Sequence, residues 1–343
     1  MNSLERLLAT INGQSVDRVP VFAVLGTWGA RLIAADPRRC YSDADTYVAS
    51  QQAVVDALDP DMILSPFDFS AIGEAFGGEV VWFPNAVPNL RRPAVSSVQH
   101  LFDLTLPSPE KTARLPLFLE ATKRLTGRFC GEKPVFAVLP GPGILPALAM
   151  GLERWIETLL TDPETADRAI RFTQPFIFSW ASALQKAGVT GLVITEPLAT
   201  SEMLPRTMFE SMILPRLHDC FSQMEGPLVL HHTGGSIGHV LDLLPGLPHL
   251  AGVSVGCRDD LVKARRSLGP DLLLLGNLDN ILFAGPAVAE IRARSLECLR
   301  TAAPAGRFIL CNSGGDIPWS CPQENLQAMI DATVDYAREA GGG

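Results

Sequence analysis

The sequence predicts an α/β chain folded as a (β/α)₈ barrel of the TIM type, with an N-terminal helical extension and a small β excursion after the second strand. Three observations carry that expectation. Eight short apolar runs alternate with segments whose apolar residues recur at helical spacing, the pattern of a parallel sheet wrapped in helices. The runs are apolar throughout, as strands covered on both faces must be. The first run is not followed by the phosphate-binding glycine-rich turn that an open doubly wound sheet usually carries. A single barrel domain over residues 1–343 accounts for the whole length.

Leu4, Leu7, Leu8 and Ile11 lie at helical spacing before Asn12-Gly13, so an amphipathic helix opens the chain. Residues 21–24 form the first strand, and 44–58 a helix capped by Ser42 or Asp43. The second strand, 61–64, ends at Ser65-Pro66-Phe67-Asp68, and the proline-rich stretch 79–97 is the β excursion. A helix over 110–127 leads to the third strand at 134–139, and helices over 153–160 and 163–187 lead to the fourth at 191–194. One over 205–223 precedes the fifth, 228–231. Strands at 251–255, 272–275 and 307–310 follow, and a helix with Pro322 in its first turn comes last.

Composition removes several function classes. Hydrophobic residues make up 47% of the chain, and a net charge of −9 contains no basic run. Nucleic acid and anionic membrane surfaces are therefore poor partners. No apolar run approaches the about 18 residues of a membrane span. The first residues lack the basic head and apolar core of a secretory leader. Seven cysteines without close pairs argue against a disulfide framework and for a reducing, cytoplasmic setting.

In a barrel the carboxyl ends of the strands converge on one mouth, where chemistry is done. The segment Pro227-Leu-Val-Leu-His-His-Thr-Gly-Gly235 is the centre of that argument: an apolar strand runs straight into two histidines. Adjacent strand residues point to opposite sides, so at most one of His231 and His232 faces a given pocket. Asp68 and Glu74 follow the second strand, Glu196 the fourth, Asn277 and Asp279 the seventh, and Asn312 and Asp316 the eighth. Carboxylates sharing an apolar mouth have their pKa values pushed apart, which suits one of them to act as an acid. Asp68, Asp279 and Asp316 are equally suited to cap the next helix. Glu196, between a strand and a proline, is harder to explain that way. Trp28 and Trp319 follow strand ends and are candidates to wall the pocket. Cys257 and Cys311, near the sixth and eighth strand ends, are either small buried hydrophobes or parts of a His/Cys metal site.

An ordered set of segments resembles the uroporphyrinogen decarboxylase superfamily over essentially the whole chain. The set comprises Arg6–Gly13 with Asp17–Val21, Glu74–Gly77, Thr195-Glu-Pro197 with Pro215, Gly276–Asp279 with Leu282 and Gly285, and Ile317-Pro318 with Cys321–Leu326. That resemblance implies either a decarboxylase or a corrinoid-dependent methyltransferase, including methyltransferases acting on coenzyme M. True decarboxylases carry Arg-Gln-Ala-Gly-Arg after the first strand; here that stretch is Leu25-Gly-Thr-Trp-Gly29, with only Arg31 nearby. The resemblance to thiol methyltransferases implies zinc held by His-x-Cys and a later Cys. His231 matches the first ligand, whereas Thr233 and Gly315 fall where the thiolates belong.

The expected function is therefore methyl transfer between a corrinoid (methylcobalamin or its relatives) carried by a separate partner protein and a non-thiol small molecule, an O- or N-methyl compound or a folate-type amine. Zinc is not expected, although a site rebuilt from His231 with Cys257 or Cys311 stays open. Glu196 and His231 are the expected proton-transfer residues, with Glu74 and Asn277 orienting. Asp68, Trp28, Asn312, Asp316 and His232 are expected around the substrate. The alternatives are a decarboxylase for a smaller carboxylated substrate, with Arg31 as its cation, and a non-catalytic binding barrel.

Overall fold

A computed structural model describes residues 1–341. Its strands are β1 (Val21–Phe22), β2 (Ile63–Leu64), β3 (Glu79–Phe83), β4 (Ala86–Arg92), β5 (Val135–Pro140), β6 (Gly191–Thr195), β7 (Leu228–His231), β8 (Leu250–Ser254), β9 (Leu273–Leu278) and β10 (Phe308–Asn312). Eight of them form one sheet in the order β1-β10-β9-β8-β7-β6-β5-β2, all parallel. They are the eight expected strands. The expected β excursion is the antiparallel hairpin β3–β4, pairing Glu79 with Arg92.

The two ends of the sheet order, β1 and β2, meet through Asp61. Its backbone N–H donates to the Val21 carbonyl at 3.2 Å, and its carboxylate accepts from the Val21 N–H at 2.8 Å. Arg6 (2.6 Å) and Arg18 (2.6 Å) hold the same carboxylate, and Arg6 also pairs with Asp17. The seam is thus closed at the amino-terminal end of the barrel by a buried, fully paired ion cluster.

Period-2 alternation fills the interior. Leu64, Phe136, Val229, Leu273, Leu275, Ile309 and Cys311 form one inner cluster, with Phe22, Val24, Val138 and Val193 packed on it. The opening helix Ser3–Ile11 starts with a capping box between Asn2 and Glu5. Its Leu7 joins this inner cluster, so the helix plugs the barrel floor.

The helix expected at 110–127 begins only at Leu115, with proline in its first turn. The one expected at 205–223 is broken into Arg206–Met208, a π turn Phe209–Ile213 and Leu214–Ser222. Pro215 cannot donate to the carbonyl of Ser211, and a wider turn absorbs that missing bond. Among the described residues no helix is long and apolar enough to cross a membrane.

Candidate active site

Above the inner cluster the strands end around a cavity of about 500 Å³. Its floor is aliphatic, from Val24, Val138, Val193, Val229 and Leu275, and Phe22, Phe67 and Phe69 wall it. The β3–β4 hairpin roofs it with Phe83, Val87 and Pro88. The polar groups on the lining include Tyr41, Tyr47, Ser65, Asp68, Thr195, His231, Ser254, Asn312 and Asp316.

Alternation on β7 turns Val229 and His231 into the cavity and Leu230 and His232 away from it. The His231 Nδ1 lies 2.6 Å from the Ser254 hydroxyl of β8, which orients the ring. Burial, aided by the neighbouring His232, holds the His231 pKa down at about 3, so the imidazole is neutral at physiological pH. His232 is packed behind the strand. Its Nδ1 accepts from the Gly234 N–H at 3.0 Å, and burial holds its pKa down at about 4.

Asp68 lines the cavity and also caps the helix Phe69–Ala75 through the Ala71 N–H at 2.6 Å. Behind it Arg114 pairs with Asp68 at 2.8 Å and with Glu74 at 2.6 Å. Asp316 accepts from the N–H groups of Gly26 (2.6 Å) and Thr27 (2.9 Å) and from the Thr27 hydroxyl, and so pins the loop after β1. Burial raises its pKa to about 6. Asn312 accepts from the Val24 N–H at 2.9 Å and donates to Asn280 at 2.7 Å; it orders the rim.

Asp68, His231, Asn312 and Asp316 are therefore brought together, and five other expected site residues are placed elsewhere. Glu196 is fully buried but faces outward, because Thr195 takes the inward position. Its carboxylate accepts from the N–H groups of Gly143 (2.7 Å) and Leu198 (3.2 Å), anchoring the loop after β5. A Cβ on Gly141 would lie 2.4 Å from that carboxylate, so the loop must be glycine there. Burial lifts the Glu196 pKa to about 7. Glu74 is tied to Arg114 off the lining, and His232 lies behind β7. Trp28 is a core residue whose indole N–H donates to the Cys321 carbonyl at 2.9 Å. Asn277 donates to the carbonyls of Gly256 and Asp259, both at 2.9 Å, and lines a second cavity with Cys257 and Asp279. Asp279 caps the short turn after β9 through the Ile281 N–H.

A sequence model of the family described as uroporphyrinogen decarboxylase (URO-D) matches residues 2–336. The chain belongs to the uroporphyrinogen decarboxylase family. It is 25% identical over 341 residues to a methylated-thiol–coenzyme M methyltransferase of Methanosarcina mazei, covering 97% of this chain and 89% of that protein. It is 24% identical over 344 residues to a uroporphyrinogen decarboxylase of Trichlorobacter lovleyi, covering 95% and 97%. A solved methyltransferase from Methanosarcina mazei superposes with a TM-score of 0.87 at 21% identity, over 98% of this chain and 99% of that one, which shows the shared barrel.

Within this family member the donors for zinc do not fit. Of the three positions that the resemblance implies, only His231 offers a strong ligand. The Thr233 hydroxyl is turned to the His232 carbonyl at 2.7 Å, and Gly315 has no side chain. Cys311 does line the same cavity, but burial pushes its thiol well above the ordinary range, the reverse of what a thiolate ligand needs. Cys257 belongs to the second cavity. Among the described residues no group of three or more His, Cys, Asp or Glu is arranged to hold a metal ion.

The cation for the decarboxylase alternative is also displaced. Arg31 donates to the carbonyls of Trp319 and Cys321 and lies over the Trp28 ring. Sequence reasoning missed Ser65, Thr195 and Ser254. For Thr195 a signal existed, since β6 and β7 pair Thr195 with His231 and neighbours in register share a face. Tyr41 and Tyr47 come from beyond the loop after β1, where no strand periodicity applies.

Proposed function

We propose that this URO-D family barrel is a corrinoid-dependent methyltransferase component, moving a methyl group between a corrinoid on a separate protein and a non-thiol small molecule held in the cavity. The observation that carries the reading is His231 facing that cavity without thiolate partners. Activating a thiol at neutral pH calls for a metal, and the donor set here does not supply one. The name of one relative, the methylated-thiol–coenzyme M methyltransferase of Methanosarcina mazei, supports the methyl-transfer half of the reading.

A corrinoid supplies cobalt that exchanges methyl groups. The barrel's own residues bind and orient the other reactant and keep water out: the aliphatic floor and the aromatic wall exclude solvent, Ser254 sets the His231 ring, and His231 accepts a proton when a substrate must lose one. Asp68, Asn312 and Asp316 shape and charge the rim.

The test is metal analysis of the purified protein beside an absorbance assay for methylcobalamin demethylation. Sub-stoichiometric zinc with turnover only on non-thiol acceptors is the expected outcome. Stoichiometric zinc with turnover on a thiol would sink the reading.

A further inference from the structure

Resting on that reading and narrowing its substrate, we infer that the methylated compound is a cation: a quaternary or tertiary methylammonium with an apolar substituent, held between aromatic rings and the carboxylate of Asp316. The lining contains no lysine or arginine among the described residues, so a sulfonate, phosphate or carboxylate would enter without a counter-charge. It contains two carboxylates instead. Asp68 is matched by Arg114, which Glu74 also claims. Every partner of Asp316 is neutral, leaving a half-buried carboxylate on the cavity wall with no positive charge opposite it, an arrangement that a bound cation completes.

Phe22, Phe67 and Phe69 face the same space, the last two edge to face at 5.2 Å. Ring faces attract cations, and methylated ammonium groups are typical guests of aromatic cages. An independent observation comes from the hydroxyls. Ser65 and Thr195 are 2% and 1% exposed, line the cavity and have no hydrogen-bond partner. Both oxygens are themselves buried, and a side-chain rotation turns a lone pair towards a positive guest.

The leaving group suits the site. When the C–N bond of a quaternary ammonium breaks, its electron pair stays on nitrogen. The methyl would go to a cobalt(I) corrinoid carried by the partner, which would supply the pair for the new bond. The amine departs neutral and needs no proton. An ether would leave as an alkoxide beside two carboxylates and would need an acid, yet His231 is unprotonated and Glu196 faces away.

Binding by calorimetry, with no corrinoid present, tests this separately from methyl transfer. The probes are benzyltrimethylammonium, the neutral benzyl methyl ether and benzenesulfonate. The cation is expected to bind about tenfold tighter than the ether, with no binding of the sulfonate. Asp316→Asn and Phe67→Leu should each weaken the cation severalfold and leave the ether unchanged. The second variant carries the test if the first does not fold. Ether binding as tight as the cation's, or a cation affinity indifferent to Phe67→Leu, overturns the inference. A protein that binds the cation yet exchanges no methyl with cobalamin overturns the methyltransferase reading and leaves the cation site standing.

Discussion

The two ends of the barrel treat buried polar groups in opposite ways. At the amino-terminal end Asp61, which is fully buried, is met by Arg6, Arg18 and the Val21 N–H, and Arg6 is met in turn by Asp17. Every charge there has its counter-charge. At the carboxyl end Ser65 and Thr195 lack partners, Asp316 has only neutral ones, and His231 faces the cavity. The first arrangement holds the fold shut; the second leaves interactions for something else to complete. Polar groups that are complete mark where the molecule keeps its stability, and those that are incomplete mark where it meets a ligand.

Five substitutions sharpen or break that contrast. Asp61→Ala leaves Arg18 without a carboxylate and Arg6 with Asp17 alone at the barrel seam, and should destabilise the protein by about 3–5 kcal/mol, read as a drop in the urea midpoint. A loss below about 1 kcal/mol would mean that the seam cluster is ornamental. His231→Ala should lower methyl transfer by about 100-fold or more for a reactant that must lose a proton and leave transfer from a methylammonium cation little changed, while moving the midpoint little. A large loss of stability with activity kept would return His231 to a packing role.

Glu196→Gln should act through pH. The folded-state pKa of Glu196 lies near 7, above its ordinary value of 4.5, so the folded form holds the proton more tightly than the unfolded one. The stability tied to that proton is present below about pH 4.5 and is lost as pH rises through 7. The difference in melting temperature between wild type and Glu196→Gln should therefore shift against the wild type between pH 5 and pH 8. Using the difference cancels His231 and His232, whose lowered values act in the opposite direction. A constant difference across that range would show that Glu196 is ionised throughout. The smallest effect is expected for Ser65→Ala and Thr195→Val. Removing hydroxyls without partners should change stability by less than about 0.5 kcal/mol while weakening whatever the cavity binds. A cost above about 1 kcal/mol would reveal a protein partner for them.

Sequence reasoning reached the barrel because eight apolar strands and their polar ends are local signals. The same holds for the caps at Asp43 and Asp68, each one residue ahead of its helix. It faltered where direction depends on the neighbour. In the sequence Glu196, between a strand and a proline, is hard to explain as a cap and so reads as an acid, yet strand pairing gives the inward place to Thr195 and the carboxylate caps the turn Pro197–Ala199. Asn277 continues the inward series of Leu273 and Leu275 by count. The backbone at Gly276, with φ at 152°, breaks that alternation and turns the amide towards Gly256 and Asp259. The place of Trp28 after a strand points to a pocket wall. Its indole instead reaches Cys321, 293 residues away in the chain, a contact that no local pattern announces.

The seam at Asp61 has a mechanical consequence. Seven neighbouring strand pairs around the sheet are joined by parallel ladders, whereas the circle between β1 and β2 is completed by one backbone bond and one carboxylate. A hoop of uneven stiffness yields first at its most compliant joint. Phe22 and Val24 rise on one side of that joint, and Leu64, Ser65 and Phe67 on the other. Strain from a bulky guest would therefore be taken up by those two flanks, leaving the spacing of Thr195, His231 and Ser254 on the stiffer arc undisturbed.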